Sequence, residues 1–187
     1  MRKIFLITVI CLFFGTALFA EEKLTWSLAL IKDNEGISFS RPIAMQEGDT
    51  FSLFIHANQA CNAYVVAQDS ERQLIVLLNR RFMPNGSFQT GSIELTPPAG
   101  TETFHIVMSL EELPDLQNAI NAFDKQKDTR TTRDLNNAIA AARRSASQFK
   151  ENPEKPVGMG GAFRGTEHDG TEFSGAGIYA KTIVINH

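Results

Sequence analysis

The chain has 187 residues, 43% of them hydrophobic, with 21 acidic and 18 basic side chains, enough for one domain with its own apolar core. Its formal net charge is −3, which becomes −5 once Arg2 and Lys3 leave with the N-terminal leader read below. An acidic chain without a long basic run argues against nucleic acid as a partner, and two cysteines, one of them inside that leader, argue against a disulfide framework.

Residues 1–20 read as a signal peptide. Arg2 and Lys3 form a positive n-region, Ile4 to Phe14 an apolar run broken by Gly15, and Ala20 a small residue ahead of Glu21-Glu22. Leu18 is bulky for a small-x-small cleavage site, so an uncleaved N-terminal anchor stays open as the alternative. The apolar run is shorter than the roughly 20 residues of a spanning helix, so no membrane span is expected after cleavage. The expected location is periplasmic or extracellular.

Residues 21–187 are expected to form a single β-rich domain. Leu24, Trp26, Leu28 and Leu30 alternate with small or polar residues, then Lys32 to Gly36 supplies turn chemistry before Ile37 and Phe39, a hairpin signal. Glu47-Gly48-Asp49 is the next turn. Strands follow over Thr50–Ala57, over Ala63–Ala67, and over Leu74–Leu78, whose continuous apolar run predicts a central strand covered on both faces. Ser92–Leu95 is a short strand, Pro97 to Gly100 a hard turn, and Thr103–Met108 alternates again.

At Ser109 the period changes from two to about 3.6. Ser109-Leu110-Glu111-Glu112 has the form of a capping box, with Leu113, Leu116, Ile120 and Phe123 on one helical face. A second helix is predicted over Thr132–Lys150, with Leu135, Ile139, Ala142, Ala146 and Phe149 as its stripe. These helices make a hairpin, inserted at about 111–150 between two strands and packed on one side of the β-core. Glu154 to Gly165, with Pro156 and four glycines, reads as a loop. Thr171–Ser174 is a brief strand, Gly175 to Gly177 a bend, and Ile178–Asn186 the last strand. The expected fold is mainly β, a β-sandwich-like pair of antiparallel sheets with an inserted helical hairpin, α+β overall.

The block from Gly48 to Ser109 resembles the bacterial domain-of-unknown-function family numbered 4384. The residues that carry the likeness are Glu47-Gly48-Asp49 before a strand, Ala63-Tyr64-Val65-Val66 before a polar turn, Leu74 to Leu78, the loop Phe82-Met83-Pro84-Asn85, and Pro98 to Glu102 leading into the strand that ends at Ser109. Phe163-Arg164-Gly165 ahead of the terminal strand is similar too. The resemblance implies an all-β domain of exported or membrane-attached bacterial proteins. It implies no reaction and no functional residue.

The sequence offers no catalytic, cofactor-binding or metal-binding residue. His56, His105, His168 and His187 have no metal-ligand spacing, there is no nucleophile elbow, and Gly158, Gly160, Gly161 and Gly165 do not form a dinucleotide or phosphate-loop pattern. His56 and His105 would approach each other only if their strands were adjacent. Cys61 reads as a buried small hydrophobe, Asn85-Gly86-Ser87 as a turn rather than a glycosylation site. Arg80, Arg81 and Phe82, read on a loop, put two planar cations beside a ring and are the candidate partner-binding residues. The expectation is a non-enzymatic binding or scaffolding module of the envelope, with a protein partner reached through a sheet edge, a sheet face or the helical insertion. The alternatives are a small hydrolase with a site assembled only in three dimensions, and a binder of a small envelope ligand.

Overall fold

The computed structural model describes residues 23–39, 41–146, 150–158 and 169–187. The predicted signal peptide, Phe149, the glycines at 160, 161 and 165, the Phe163 to Gly165 motif and His168 lie outside the described residues. In chain order the strands are β1 (Lys23–Lys32), β2 (Glu35–Ile37), β3 (Ile43–Ala44), β4 (Thr50–Ala57), β5 (Cys61–Gln68), β6 (Leu74–Phe82), β7 (Gly86–Gln89), β8 (Ile93–Glu94) and β9 (Thr101–Ser109). Two helices follow, α1 (Pro114–Gln126) and α2 (Thr129–Ser145), and then β10 (Lys150–Gly158), β11 (Asp169–Ala176) and β12 (Ile178–Asn186).

The strands form two sheets. The first runs β10-β11-β1-β4-β7, with β2 paired to β1 and β8 to β4; the second runs β3-β12-β9-β5-β6. Pairing is antiparallel except between β12 and the two-residue β3. The hairpin expected after Lys32 is present: Lys32 pairs with Glu35, and Asp33 and Asn34 both take positive φ, the conformation a tight two-residue turn requires. Gly48, at φ 85°, turns the chain into β4. The Asp49 carboxylate closes that turn, accepting from the Gln46 N–H at 2.9 Å and from Lys32 Nζ at 2.5 Å.

Alternation explains the main core. Leu24, Trp26, Leu28 and Leu30 of β1 and Phe51, Leu53, Ile55 and Ala57 of β4 face Cys61, Ala63 and Val65 of β5, Phe104, Ile106 and Met108 of β9, and Ile183 and Ile185 of β12. Every second residue of each strand thus enters one shared interior between the sheets. Trp26 stacks on Phe173 with centroids 4.6 Å apart and meets Tyr179 edge-on at 4.8 Å, fastening β1, β11 and β12 together.

The helical hairpin lies between β9 and β10, against the outer face of the second sheet, but α2 is shifted from the predicted Thr132–Lys150. It starts at Thr129 and ends at Ser145, with Ala146 an extended C-cap and Lys150 already in β10. Leu116, Ile120 and Phe123 of α1 and Leu135, Ile139 and Ala142 of α2 pack on Tyr64, Val66, Leu74 and Val107. Each fully buried large side chain there stabilises the layer by about 2 kcal/mol before entropy is counted. The cap differs from expectation. Ser109 is held in the ladder opposite Ile178 and Asn62, so it cannot turn into a helix. The chain instead enters α1 at Leu113, whose N–H donates to the Tyr64 hydroxyl at 3.3 Å, with Pro114 opening the helix. The capping box belongs to α2: Asp128 accepts from the Thr131 N–H at 2.7 Å and Thr131 Oγ1 accepts from the Asp128 N–H at 3.1 Å.

Two further expectations are corrected. The Leu74–Leu78 run is the start of a longer strand at the edge of the second sheet, not a central one, and Ile75 is half exposed there. Part of the expected Glu154 to Gly165 loop is strand: β10 runs to Gly158 and pairs with β11, broken between Asn152 and Pro156. Backbone pairing holds it despite a sequence with little apolar periodicity.

Candidate binding surface

Arg80, Arg81 and Phe82 lie on β6 rather than on a loop. Pleating separates them. Phe82 points into the main core and is 2% exposed. Arg80 also leans to the inner side of its sheet, at the open seam of the sandwich. Its guanidinium donates to the Ser87 carbonyl oxygen at 2.7 Å and lies over the rings of Phe82 and Phe88, at 4.9 and 5.5 Å. Arg81 is on the opposite face, exposed, paired in register with Asn62. The structure therefore does not bring these three residues to one surface. Gly86 serves the same junction: a Cβ there would come within 2.7 Å of the Met83 carbonyl oxygen, to which the Gly86 N–H donates at 2.9 Å.

His56 and His105 do not meet. His56 pairs with Ser27 and Ser87 on the outer face of the first sheet, whereas His105 pairs with Val66 and Thr182 on the outer face of the second, so the main core lies between them. His105 Nδ1 is 3.4 Å from Thr182 Oγ1, and burial, reinforced by the Arg143 charge, holds its pKa below the ordinary histidine value. The Cys61 thiol is fully buried in the core, and burial pushes its pKa up to about 11 against the opposing charge of Arg81. Such a thiol is a packed hydrophobe, not a nucleophile. No group of three or more histidine, cysteine, aspartate or glutamate side chains with metal-holding geometry is found among the described residues.

The terminal strands β3, β6, β7, β8 and β10 are poorly suited to strand addition. Strands β3, β7 and β8 have two to four residues. The longer β6 edge is kinked by a bulge that leaves Leu77 without an opposite residue, and carries Arg80 and Arg81. Among the described residues β10 ends the other sheet; Pro153 and Pro156 have no N–H to offer a further strand, and the β10 pairing is broken between Asn152 and Pro156. Short strands, bulges, charge and proline are the devices that prevent edge pairing.

The helical layer is different. Viewed down α2, Thr131, Leu135, Ile139 and Ala142 fill the side toward the sheet. At 3.6 residues per turn, Arg133, Asn137 and Arg144 fall on the diametrically opposite side, with Arg130 and Ala141 beside them. The Arg130 and Arg133 side chains are 81% and 71% exposed. Each reaches Asp134 only at 3.8 Å, an exposed pairing that neutralises little. α2 carries four arginines against one aspartate, a local charge of +3, while the rest of residues 21–187 carries −8. The sequence shows these arginines interleaved with acids and amides, as a solvated face would be. Their common direction becomes visible only once the buried face of α2 is assigned.

Two concavities among the described residues are large or apolar enough to consider for a ligand beside the sheets. One, of about 150 Å³, lies between the start of α1, the end of α2 and Ile178, lined by Leu113, Leu116, Ala138 and Ala142. The other, about 320 Å³ and open, is a polar depression beside the β1–β2 turn with Asp33, Asn34, Thr50, Ser52 and Gln89. The first is smaller than the roughly 300 Å³ at which small-molecule sites begin. No described helix is long and apolar enough to cross a membrane. No family model matches this chain, and no curated protein or solved structure is found similar to it.

Proposed function

We propose that this chain is an exported bacterial envelope module that binds or scaffolds rather than catalyses, and that it works through its helical layer. The observation that carries the reading is the hairpin of α1 and α2, which seals one sheet face with its apolar side and turns an arginine-lined side outward. Blunted sheet edges move contact away from strand addition and toward that layer. The leader-like residues 1–20 and the resemblance of Gly48–Ser109 to the family numbered 4384 support an envelope setting. The hydrolase alternative loses support from the separation of His56 and His105, and from a cysteine whose thiolate is disfavoured.

Fractionation of a bacterial host expressing the full chain tests this reading, combined with photo-crosslinking from Asn137 on α2 and from Glu71 beside the β5–β6 turn. The expected result is recovery in the periplasmic or membrane fraction, with crosslinks from Asn137 exceeding those from Glu71. Recovery of folded protein in the cytosol overturns it.

A further inference from the structure

We propose that the outward face of α2 docks on an anionic lipid bilayer, with Arg130, Arg133 and Arg144 engaging headgroup phosphates. The proposal rests on the envelope-module reading and adds the chemistry of the partner. Three observations carry it. First, the charge is segregated: this helix is strongly positive in an otherwise negative chain, so attraction is local and orients the domain. Second, the geometry suits a plane. Arg130 and Arg144 are fourteen residues apart on one side of a single helix, about 21 Å along its axis, with Arg133 on the same side. The end of α1 and the α1–α2 turn set Lys125 and Lys127 against Asp124 and Asp128, a balanced pair of charges that leaves the positive excess to α2 itself.

Third, the stripe between the arginines holds Asn137 and Ala141 and no aromatic or large aliphatic side chain. A protein interface needs buried anchors of that kind at its centre. A diffuse layer of phosphates needs only guanidinium groups, which bind them through paired N–H donors. An acidic protein partner is thus the less suited occupant. Residues 2–14 carry the pattern that brings a chain to a membrane, so a bilayer surface is the anion it meets.

The test is co-sedimentation of the protein isolated from the envelope fraction with vesicles of phosphatidylcholine alone and of phosphatidylcholine mixed with phosphatidylglycerol. Binding is expected on the anionic vesicles, falling as salt is raised. Replacing Arg130, Arg133 and Arg144 with glutamine is expected to weaken it by about fivefold per arginine at low salt. A control with Arg41→Gln and Arg72→Gln, both exposed elsewhere, is expected to bind as the unaltered protein does. Because the altered side chains are exposed, all three proteins are expected to melt at the same temperature. Equal binding to both vesicle types, or undiminished binding by the triple variant, overturns the proposal. Crosslinking of Asn137 to an acidic envelope protein with no vesicle binding also overturns it, while leaving the module reading intact; recovery in the cytosol removes both.

Discussion

The guanidinium of Arg80, on the second sheet, donates to the backbone carbonyl of Ser87, on the first, at 2.7 Å. It does so while lying over Phe82 and Phe88, one ring from each sheet. A strand arginine that resembles a recognition residue thus closes the seam of the sandwich just where the chain crosses from β6 to β7.

Arg80→Ala is therefore expected to destabilise the protein by about 1–2 kcal/mol, from one charged hydrogen bond and two ring contacts. Arg81→Ala, on the opposite face, is expected to stay within about 0.5 kcal/mol of the unaltered protein. Urea denaturation of both variants measures the difference. Equal midpoints would remove the seam-closing role of Arg80.

The hydroxyl of Tyr64 replaces the side-chain cap that Ser109 was expected to supply. Tyr64→Phe keeps the ring in the second core and removes the acceptor for the Leu113 N–H. A loss of about 1 kcal/mol is expected, with faster amide exchange at the start of α1. Ser109→Ala is expected to leave that exchange unchanged, because Ser109 does not cap the helix.

The strands Thr50–Ala57 and Ile178–Asn186 lie at the bounds that alternation predicts, because each has one face in the main core, and a period of two records that directly. The helices were legible for the same reason at a period of 3.6. Features set by distant pairing were not. The S-x-x-E pattern at Ser109 is local, and it carries no trace of the ladder that holds Ser109 opposite Ile178. Leu74–Leu78 is as apolar as a central strand because Leu74 and Val76 face the helices while Leu78 faces the main core; the edge position leaves Ile75 half exposed and Val76 and Leu77 partly so. Arg80 shows the same limit at the candidate site. It is exposed, as its charge suggests, and only the placement of β7 reveals the carbonyl it also serves.

Burial makes Cys61 a reporter of global opening. With its pKa pushed up to about 11 and its side chain fully enclosed, the native thiol is expected to resist a disulfide reagent at pH 8. In urea the label is expected to enter with the unfolding transition seen by tryptophan fluorescence. Labelling well below that midpoint would show that the seam beside Phe82 opens independently.

Two carboxylates contribute to the acid sensitivity. Asp49 is held below the ordinary aspartate value first by the Gln46 N–H and then by Lys32, and Asp128 by the N–H and hydroxyl of Thr131. A lowered folded-state pKa means stability that is present above the unfolded value near 3.8 and is lost as pH falls through the lower one. Asp49→Asn and Asp128→Asn are expected to lower the melting temperature at pH 7 and to flatten its decline below pH 4. A decline as steep as that of the unaltered protein would place the acid sensitivity elsewhere.

His105 acts in a higher window. Its folded-state pKa lies below 6.5, first because burial penalises the imidazolium and then because Arg143 repels it. Well above pH 6.5 the ring is neutral in both folded and unfolded chains, so no penalty operates. As pH falls below 6.5, the unfolded chain takes up a proton that the folded chain refuses, and stability decreases until the folded-state value is reached. His105→Gln is expected to remove that slope between neutral pH and the acid limit, which thermal melts at closely spaced pH values would show. Arg143→Gln is expected to reduce the slope without abolishing it, because burial remains the larger cause. A slope left intact by His105→Gln would mean that another group titrates on unfolding in this window.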